Sequence, residues 1–257
     1  MIAFIVQARL SSTRLPNKVN KKIYGKKTVL DICIENLRFF KHKIIIATTN
    51  NPKDKKIVEI AERNKVAYFR GSEENVLKRY IDCAEEFHIS QIIRITSDNI
   101  FIQPNLLRRL INSINPELDY ISYRMKSGIN VVLTHWGLFS EYVSLNALKK
   151  IIDLDPSEKA REHVTYYIYN HQEEFNIKYL PVPKELNRND IRLTIDNLED
   201  YNICKQIYIY LKKHGLEPNF HNIINYLEQN TSLMNKMKIN IEKIHNKNMK
   251  KSNENSN

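Results

Sequence analysis

Ile2-Ala3-Phe4-Ile5-Val6 runs without a polar interruption into Gln7-Ala8-Arg9-Leu10-Ser11-Ser12-Thr13-Arg14-Leu15-Pro16-Asn17-Lys18. A continuous apolar run rich in Ile, Val and Phe is the pattern of a strand covered on both faces, as strands of a parallel sheet are. The polar stretch after it is a loop at that strand's carboxyl end. In open α/β sheets this is where ligands bind.

Outward from this stretch the two patterns alternate. Thr28-Val29-Leu30-Asp31 couples a capping hydroxyl to an acid three residues on, and opens a helix carrying Ile34 and Leu37. Lys43 to Thr48 is a second buried strand. Pro52 opens a helix with Ile57, Ile60 and Ala61, and Val66 to Phe69 is a third strand. Gly71-Ser72-Glu73-Glu74 opens a helix in which Val76, Leu77, Tyr80, Ile81 and Ala84 recur at helical spacing. Gln91 to Thr96 is a strand, and Pro104 starts another helix. Strand candidates follow at 118–123, 130–133, 177–180 and 192–195. Helices are expected at about 143–153, 157–171, 197–213 (capped by Asn197 and stopped by Gly215) and 219–228.

The alternation predicts an α/β protein with a mixed, mostly parallel sheet and helices on both sides. One domain over 1–230 is expected, with a small β-rich lobe inserted at about 116–140. Residues 231–257 read as a basic, disordered C-terminal tail.

Composition narrows the class. The 257 residues are 42% hydrophobic and 27% charged, which excludes a wholly disordered chain, a collagen and a disulfide scaffold. No apolar run approaches the ~18 residues of a membrane helix, and the N-terminus lacks the pattern of a signal peptide. The three cysteines, Cys33, Cys83 and Cys204, are far apart and read as reduced thiols in helices. A cytoplasmic protein with no membrane partner is expected. The net charge of +11 includes +4 from the stretch beginning at Thr231. Without zinc-finger spacing or an RNA-recognition motif, the remainder points to an anionic small ligand and not to nucleic acid.

Three loops at strand ends carry candidate chemistry. The first sets Arg9, Arg14 and Lys18 among hydroxyls and backbone N–H groups, a composition suited to a polyphosphate. It is neither a P-loop nor a dinucleotide fingerprint, and a solvated basic turn has the same composition. Asp98 and Asp196 close the other two. A carboxylate beside a phosphate loop can hold Mg²⁺, and each also fits a helix cap or an Asx turn. Tyr166, Tyr167 and Tyr169 read as core packing and a dimer contact in preference to a stacking platform.

Gln7-Ala8-Arg9 with Ser12-Thr13-Arg14-Leu15-Pro16-x-Lys18 resembles the signature of the cytidylyltransferases of spore-coat polysaccharide biosynthesis, relatives of the CMP-sugar synthetases for Kdo and nonulosonic acids. Four further stretches match in order: Gly71-Ser72-Glu73-Glu74-Asn75-Val76-Leu77-x-Arg79-Tyr80, Arg94-Ile95-Thr96-x-Asp98, Arg161-Glu162-His163-Val164-Thr165, and Arg192-Leu193-Thr194-Ile195-Asp196. The resemblance covers about residues 1–215. It implies a nucleotide-diphospho-sugar transferase fold and activation of a sugar or sugar acid by CTP. Arg9, Arg14 and Lys18, with Ser12 nearby, would bind the triphosphate, and the backbone around Gln7 and Ala8 the base. Asp98 and Asp196 would hold Mg²⁺. Arg9, Lys18 and Asp98 are the catalytic candidates it implies. Arg161 and His163 would face the sugar acid. A homodimer is implied by analogy, with Trp136-Gly137 as a contact.

The chain departs from that family at several positions. Ser11, Asn17 and Ser97 stand where glycine is usual, and Gln103 replaces an acid. Asn130 and Val132 replace two acids. An altered sugar pocket accounts for these changes. The alternatives are a catalytically impaired member acting as a binding or scaffold subunit, or a glycosyltransferase of the same broad fold. The latter normally needs a D-x-D motif, which Ser97-Asp98-Asn99 does not supply.

Overall fold

The structure, a computed structural model, describes residues 1–155 and 157–254, with side chains at all of these except 245 and 247–254. Its centre is a seven-stranded sheet of β1 (Ile2–Gln7), β4 (Lys43–Thr49), β5 (Ala67–Gly71), β6 (Gln91–Thr96), β7 (Tyr120–Arg124), β8 (Glu141–Ser144) and β9 (Ile177–Pro181). The spatial order is β5-β4-β1-β6-β8-β7-β9. All pairs are parallel except the two that β8 makes with β6 and β7. A separate hairpin of β2 (Lys22–Tyr24) and β3 (Lys27–Thr28) leads into the first helix.

Among the described residues the helices are, in chain order, α1 (Val29–Arg38), α2 (Lys55–Arg63), α3 (Val76–Glu86), α4 (Pro104–Ile111), α5 (Leu145–Leu154), α6 (Glu158–Glu162), α7 (Tyr166–Asn170), α8 (Leu198–Lys213), α9 (Phe220–Glu228) and α10 (Thr231–Glu254). Strand side chains alternate between the two faces of the sheet. Phe4, Val6, Ile46 and Ile93 pack with α1, α2, α4, α8 and α9. Ala3, Ile5, Ile45 and Ile92 pack with α3, α5 and the α6–α7 segment. The order of strands reverses between β1 and β6, so the carboxyl ends of these two flank the crevice expected of such a sheet. Gln7 and Thr96 are direct register partners there.

Local signals hold where they are local. Thr28 and Asp31 form a reciprocal capping box at α1, and Asn197 and Asp200 form another at α8. Gly215 takes φ +67 just after α8, as a helix stop requires. The three cysteines are buried and free in α1, α3 and α8, and burial pushes the Cys33 and Cys83 thiols up to about 12.

Several expectations are corrected. The lobe at 116–140 is not a separate β-rich unit. Tyr120 to Arg124 lies inside the main sheet, and residues 125–140 form an arch with one isolated bridge, Asn130 to Arg124, and a 3₁₀ turn at Val131–Leu133. Trp136 is 2% exposed in the core, so it is not a subunit contact. Residues 192–195 belong to no strand, and the chain bends at Thr194. Their bonds are single ones, Leu193 N–H to His135 O at 3.1 Å and Ile195 N–H to Asp98 O at 3.1 Å. The helix read over 157–171 breaks at His163, where the Thr165 hydroxyl turns to Glu141 instead of continuing a helix. The helix read from Gly71 starts at Val76, capped by Asn75.

The boundary at 230 also moves. Leu233, Met237 and Asn240 are buried on α10, which packs against α8 and α9, so the first part of the expected tail belongs to the domain. Residues 255–257 lie outside the described residues, as do the side chains of the lysines at 247, 250 and 251.

Candidate active site

The loop after β1 is built to stay in place. Leu10, Leu15 and Val19 are buried and anchor it in the core. The Leu10 N–H donates to the Asp54 carboxylate at 2.8 Å, and Asp54 is only 1% exposed. Asn17 N–H closes the loop on Leu10 O at 3.0 Å. Asn17 sits at φ 58, ψ 23, so the glycine-like conformation is used here and asparagine adopts it. Ser11 and Ser97 keep negative φ and need no glycine. Ser11 instead donates to Glu73 at 2.5 Å. With its hydrophobic residues fixed inward, the loop turns Arg9, Ser12, Arg14 and Lys18 toward a cavity of about 950 Å³.

Gln7 and Ala8 line that cavity, but part of their backbone is already engaged. Ala8 N–H donates to Ala47 O at 3.2 Å, and Gln7 O accepts from Ser97 N–H at 3.3 Å. The Gln7 side chain accepts from Arg94 at 3.0 Å and from the Tyr80 hydroxyl at 3.3 Å.

A second cavity of about 610 Å³ opens against the first and shares Arg94, Thr96, Asp98, His163 and Asp196 with it. At the junction Lys18 Nζ stands 2.6 Å from Asp98 and 3.5 Å from Asp196. Asp196 also pairs with Arg14 at 2.9 Å and with Arg192 at 2.9 Å. Burial by itself would raise the Asp98 carboxyl, but the Lys18 ammonium outweighs it and holds the carboxyl below its usual range. Burial likewise opposes the charge on Lys18, and Asp98 with Asp196 still holds its ammonium above the usual value.

Two carboxylates that meet on one ammonium are hard oxygen donors close enough to share a cation. Among the described residues no group of three or more His, Cys, Asp or Glu side chains could hold a metal alone. The donor set therefore fits an ion that takes its other ligands from phosphate and water, as Mg²⁺ does.

Beneath the junction is a buried polar network that the sequence did not mark as a site. Arg94 pairs with Glu141, which also accepts from the Tyr120 hydroxyl and from Thr165 at 3.1 Å. Arg94 and Thr165 lay within matched motifs, which was their only signal. Arg94 Nε and Asn99 Oδ1 are buried without a hydrogen-bond partner among the described residues.

The smaller cavity has an apolar wall of Val131, Val132, Phe139, Tyr166 and Tyr169. Tyr166 and Tyr169 thus line a cavity instead of packing in the core. Lys159 and His163 stand at its rim. Arg161 is exposed and lines neither cavity, so the structure does not bring it to His163's side of the site. Gln103 is buried in a bond between its side chain and Phe220 N–H at 2.8 Å, away from both cavities. Asn130 is buried too, accepting from Ser122 at 2.7 Å. Of the two lost acids, only Val132 faces the cavity.

The mostly parallel seven-stranded sheet, with a basic loop after β1 and a second cavity beside it, matches the nucleotide-diphospho-sugar transferase fold. The chain belongs to the cytidylyltransferase family, whose model matches residues 3–239. It is 34% identical over 224 residues to the spore coat polysaccharide biosynthesis protein SpsF of Bacillus subtilis, covering 84% of this chain and 89% of that one. It superposes on the structure of a cytidylyltransferase from Leptospira borgpetersenii with TM-score 0.79 at 28% identity, over 91% of this chain and 96% of that one. A CMP:2-keto-3-deoxy-manno-octonic acid synthetase complexed with CTP shares the fold, with TM-score 0.62 at 14% identity over 81% of this chain and 98% of that one. No helix among the described residues is long and apolar enough to cross a membrane.

Proposed function

We propose that this cytidylyltransferase activates a sugar or sugar acid with CTP, yielding a CMP-sugar and pyrophosphate. The observation that carries the reading is the meeting of two cavities at Asp98 and Asp196, with the basic loop on one side only. CTP occupies the larger cavity, its triphosphate along Arg9, Ser12, Arg14 and Lys18. The acceptor occupies the smaller one, its ring against Val132, Phe139, Tyr166 and Tyr169. Lys159 and His163 face its hydroxyls or carboxylate, and Arg161 takes no part. The α-phosphorus then falls at the shared wall. The CTP complex of the synthetase that shares the fold supports the choice of nucleotide.

The acceptor hydroxyl oxygen forms a bond to the α-phosphorus as the bond to the pyrophosphate oxygen breaks, and the hydroxyl proton is released. Catalysis rests on positioning and on charge neutralisation. Asp98 and Asp196 would hold Mg²⁺, which when bound supplies positive charge to the phosphate oxygens. Lys18 and Arg14 pass from these carboxylates to phosphate oxygens, where arginine forks and a lysine point charge both fit. On this reading the protein works in the cytoplasm, in surface polysaccharide biosynthesis, as a homodimer.

Calorimetric titration with CTP, ATP, GTP and UTP, each with Mg²⁺, is the direct test. Selective CTP binding is expected, followed by pyrophosphate release when the acceptor is found in a panel of sugars and sugar acids. Asp98→Asn should cut that release at least 100-fold with the fold intact. Full activity in that variant, or no preference for CTP, would defeat the assignment.

A further inference from the structure

The wall of the larger cavity is completed from the far end of the chain. Met237 is fully buried on α10, and its Sδ accepts the Arg192 N–H at 3.1 Å. Asn240, 7% exposed, donates to Asp200 at 2.6 Å and accepts from the Asn197 side chain at 3.2 Å. Asp200 fixes Arg192 at 2.7 Å, and Arg192 pairs with Asp196. The helix is thereby tied to the network that ends at the cavity, on the side where Arg14 meets Asp196. Met237, Asn240 and Ile244 follow the spacing of one helical face. Lys243 and Ile244 on the next turn line the cavity together with Arg9, Arg14 and Lys18.

We propose that Lys243 of α10 is a phosphate-binding residue of the nucleotide site, contacting the terminal phosphates of the triphosphate and the pyrophosphate product. The proposal rests on the nucleotide reading above. Arg14 and Lys18 each share their charge with a carboxylate before a ligand arrives. Lys243 makes no ion pair among the described residues, so its charge is undivided. The family match ends at residue 239, and Asn240, Lys243 and Ile244 lie beyond it.

The test is calorimetry on the full chain with three probes, each with Mg²⁺: CTP, inorganic pyrophosphate and CMP. Lys243→Ala should weaken CTP and pyrophosphate about 2- to 5-fold, the scale of one exposed charge pair. CMP affinity should stay unchanged, because CMP lacks the terminal phosphates. Lys243→Arg should restore CTP binding. Lys243 is exposed, so an unchanged melting temperature is expected and is checked alongside. If Lys243→Ala binds CTP and pyrophosphate like the parent, the proposal fails while the nucleotide reading stands. An equal loss for CMP also overturns it, since the residue would then serve the nucleoside end or the fold. A parent chain that binds none of the three probes brings down both.

Discussion

Arg94 and Glu141 are direct cross-strand partners on β6 and β8, and their side chains close an ion pair beneath the junction of the two cavities. Glu141 is 4% exposed, so neither charge can find water if the other is lost. Gln7 leans on the same guanidinium from the side of the larger cavity, and Thr165 leans on the same carboxylate from the side of the smaller one. One pair thus sets the floor of both cavities.

Glu141→Ala is expected to destabilise the chain by about 3–5 kcal/mol, because breaking a buried pair strands the remaining charge. At ~2–4 °C per kcal/mol for a chain of this size, the melting temperature should fall by roughly 6–20 °C. Thermal unfolding followed by circular dichroism reads this directly. A fall under 2 °C would show that the pair carries no net weight.

Lys18→Met should release Asp98. Without the ammonium, only the Thr96 side chain and a backbone hydrogen bond still oppose burial, and the carboxyl should rise from its depressed position. The sign follows from linkage. With its folded value depressed, Asp98 contributes stability above pH ~4 that is lost as pH falls through that lower value. With its folded value raised, Lys18 contributes stability below pH ~10.5 that is lost as pH rises through the higher value. Stability-versus-pH curves of parent and variant should therefore diverge most between these limits and converge outside them. Carboxyl titration by NMR of the two proteins would detect the shift, and an unmoved Asp98 would refute it.

Asn17→Gly should be neutral and Asn17→Ala should cost about 1–2 kcal/mol, since alanine pays the full left-handed penalty at φ 58. Urea melts of both variants measure the difference. Equal stability would mean that the loop relaxes out of this conformation at no cost.

Val132→Glu should leave CTP affinity within about twofold and lower acceptor-dependent pyrophosphate release at least tenfold. A carboxylate set into the apolar wall is costly unless it finds a partner, and Val132 lines only the acceptor cavity. Weakened CTP binding in this variant would mean that the two cavities are not functionally separate.

The parts of the fold legible in the sequence are those whose determinants are close in the chain. Thr28 with Asp31, and Asn197 with Asp200, announce their helices because both halves of each cap are three residues apart. The candidate site was legible at Arg9, Arg14, Lys18, Asp98 and Asp196 because the strand-end rule and the matched motifs select the same loops. Glu141 was not, since nothing in Ser140-Glu141-Tyr142 shows that Arg94, Tyr120 and Thr165 converge on it. Tyr120 to Arg124 was assigned to a lobe because its partners lie at 142–143 and 177–181, out of reach of any local pattern. The docking of α10 was hidden by its lysine- and asparagine-rich composition. Its attachment depends on Leu233, Met237 and Asn240, which look ordinary in that setting.

β8 runs against both neighbours, so the arch over 125–140 leaves the end of β7 and enters β8 on the same rim of the sheet. Its two feet are planted side by side, while β1 and β6 lie to one side and carry the basic loop and Asp98 at their ends. The arch can therefore lengthen, shorten or be replaced without shifting those strands. On the proposed reading this lets the acceptor change while the donor stays the same, with the seam between them along β6.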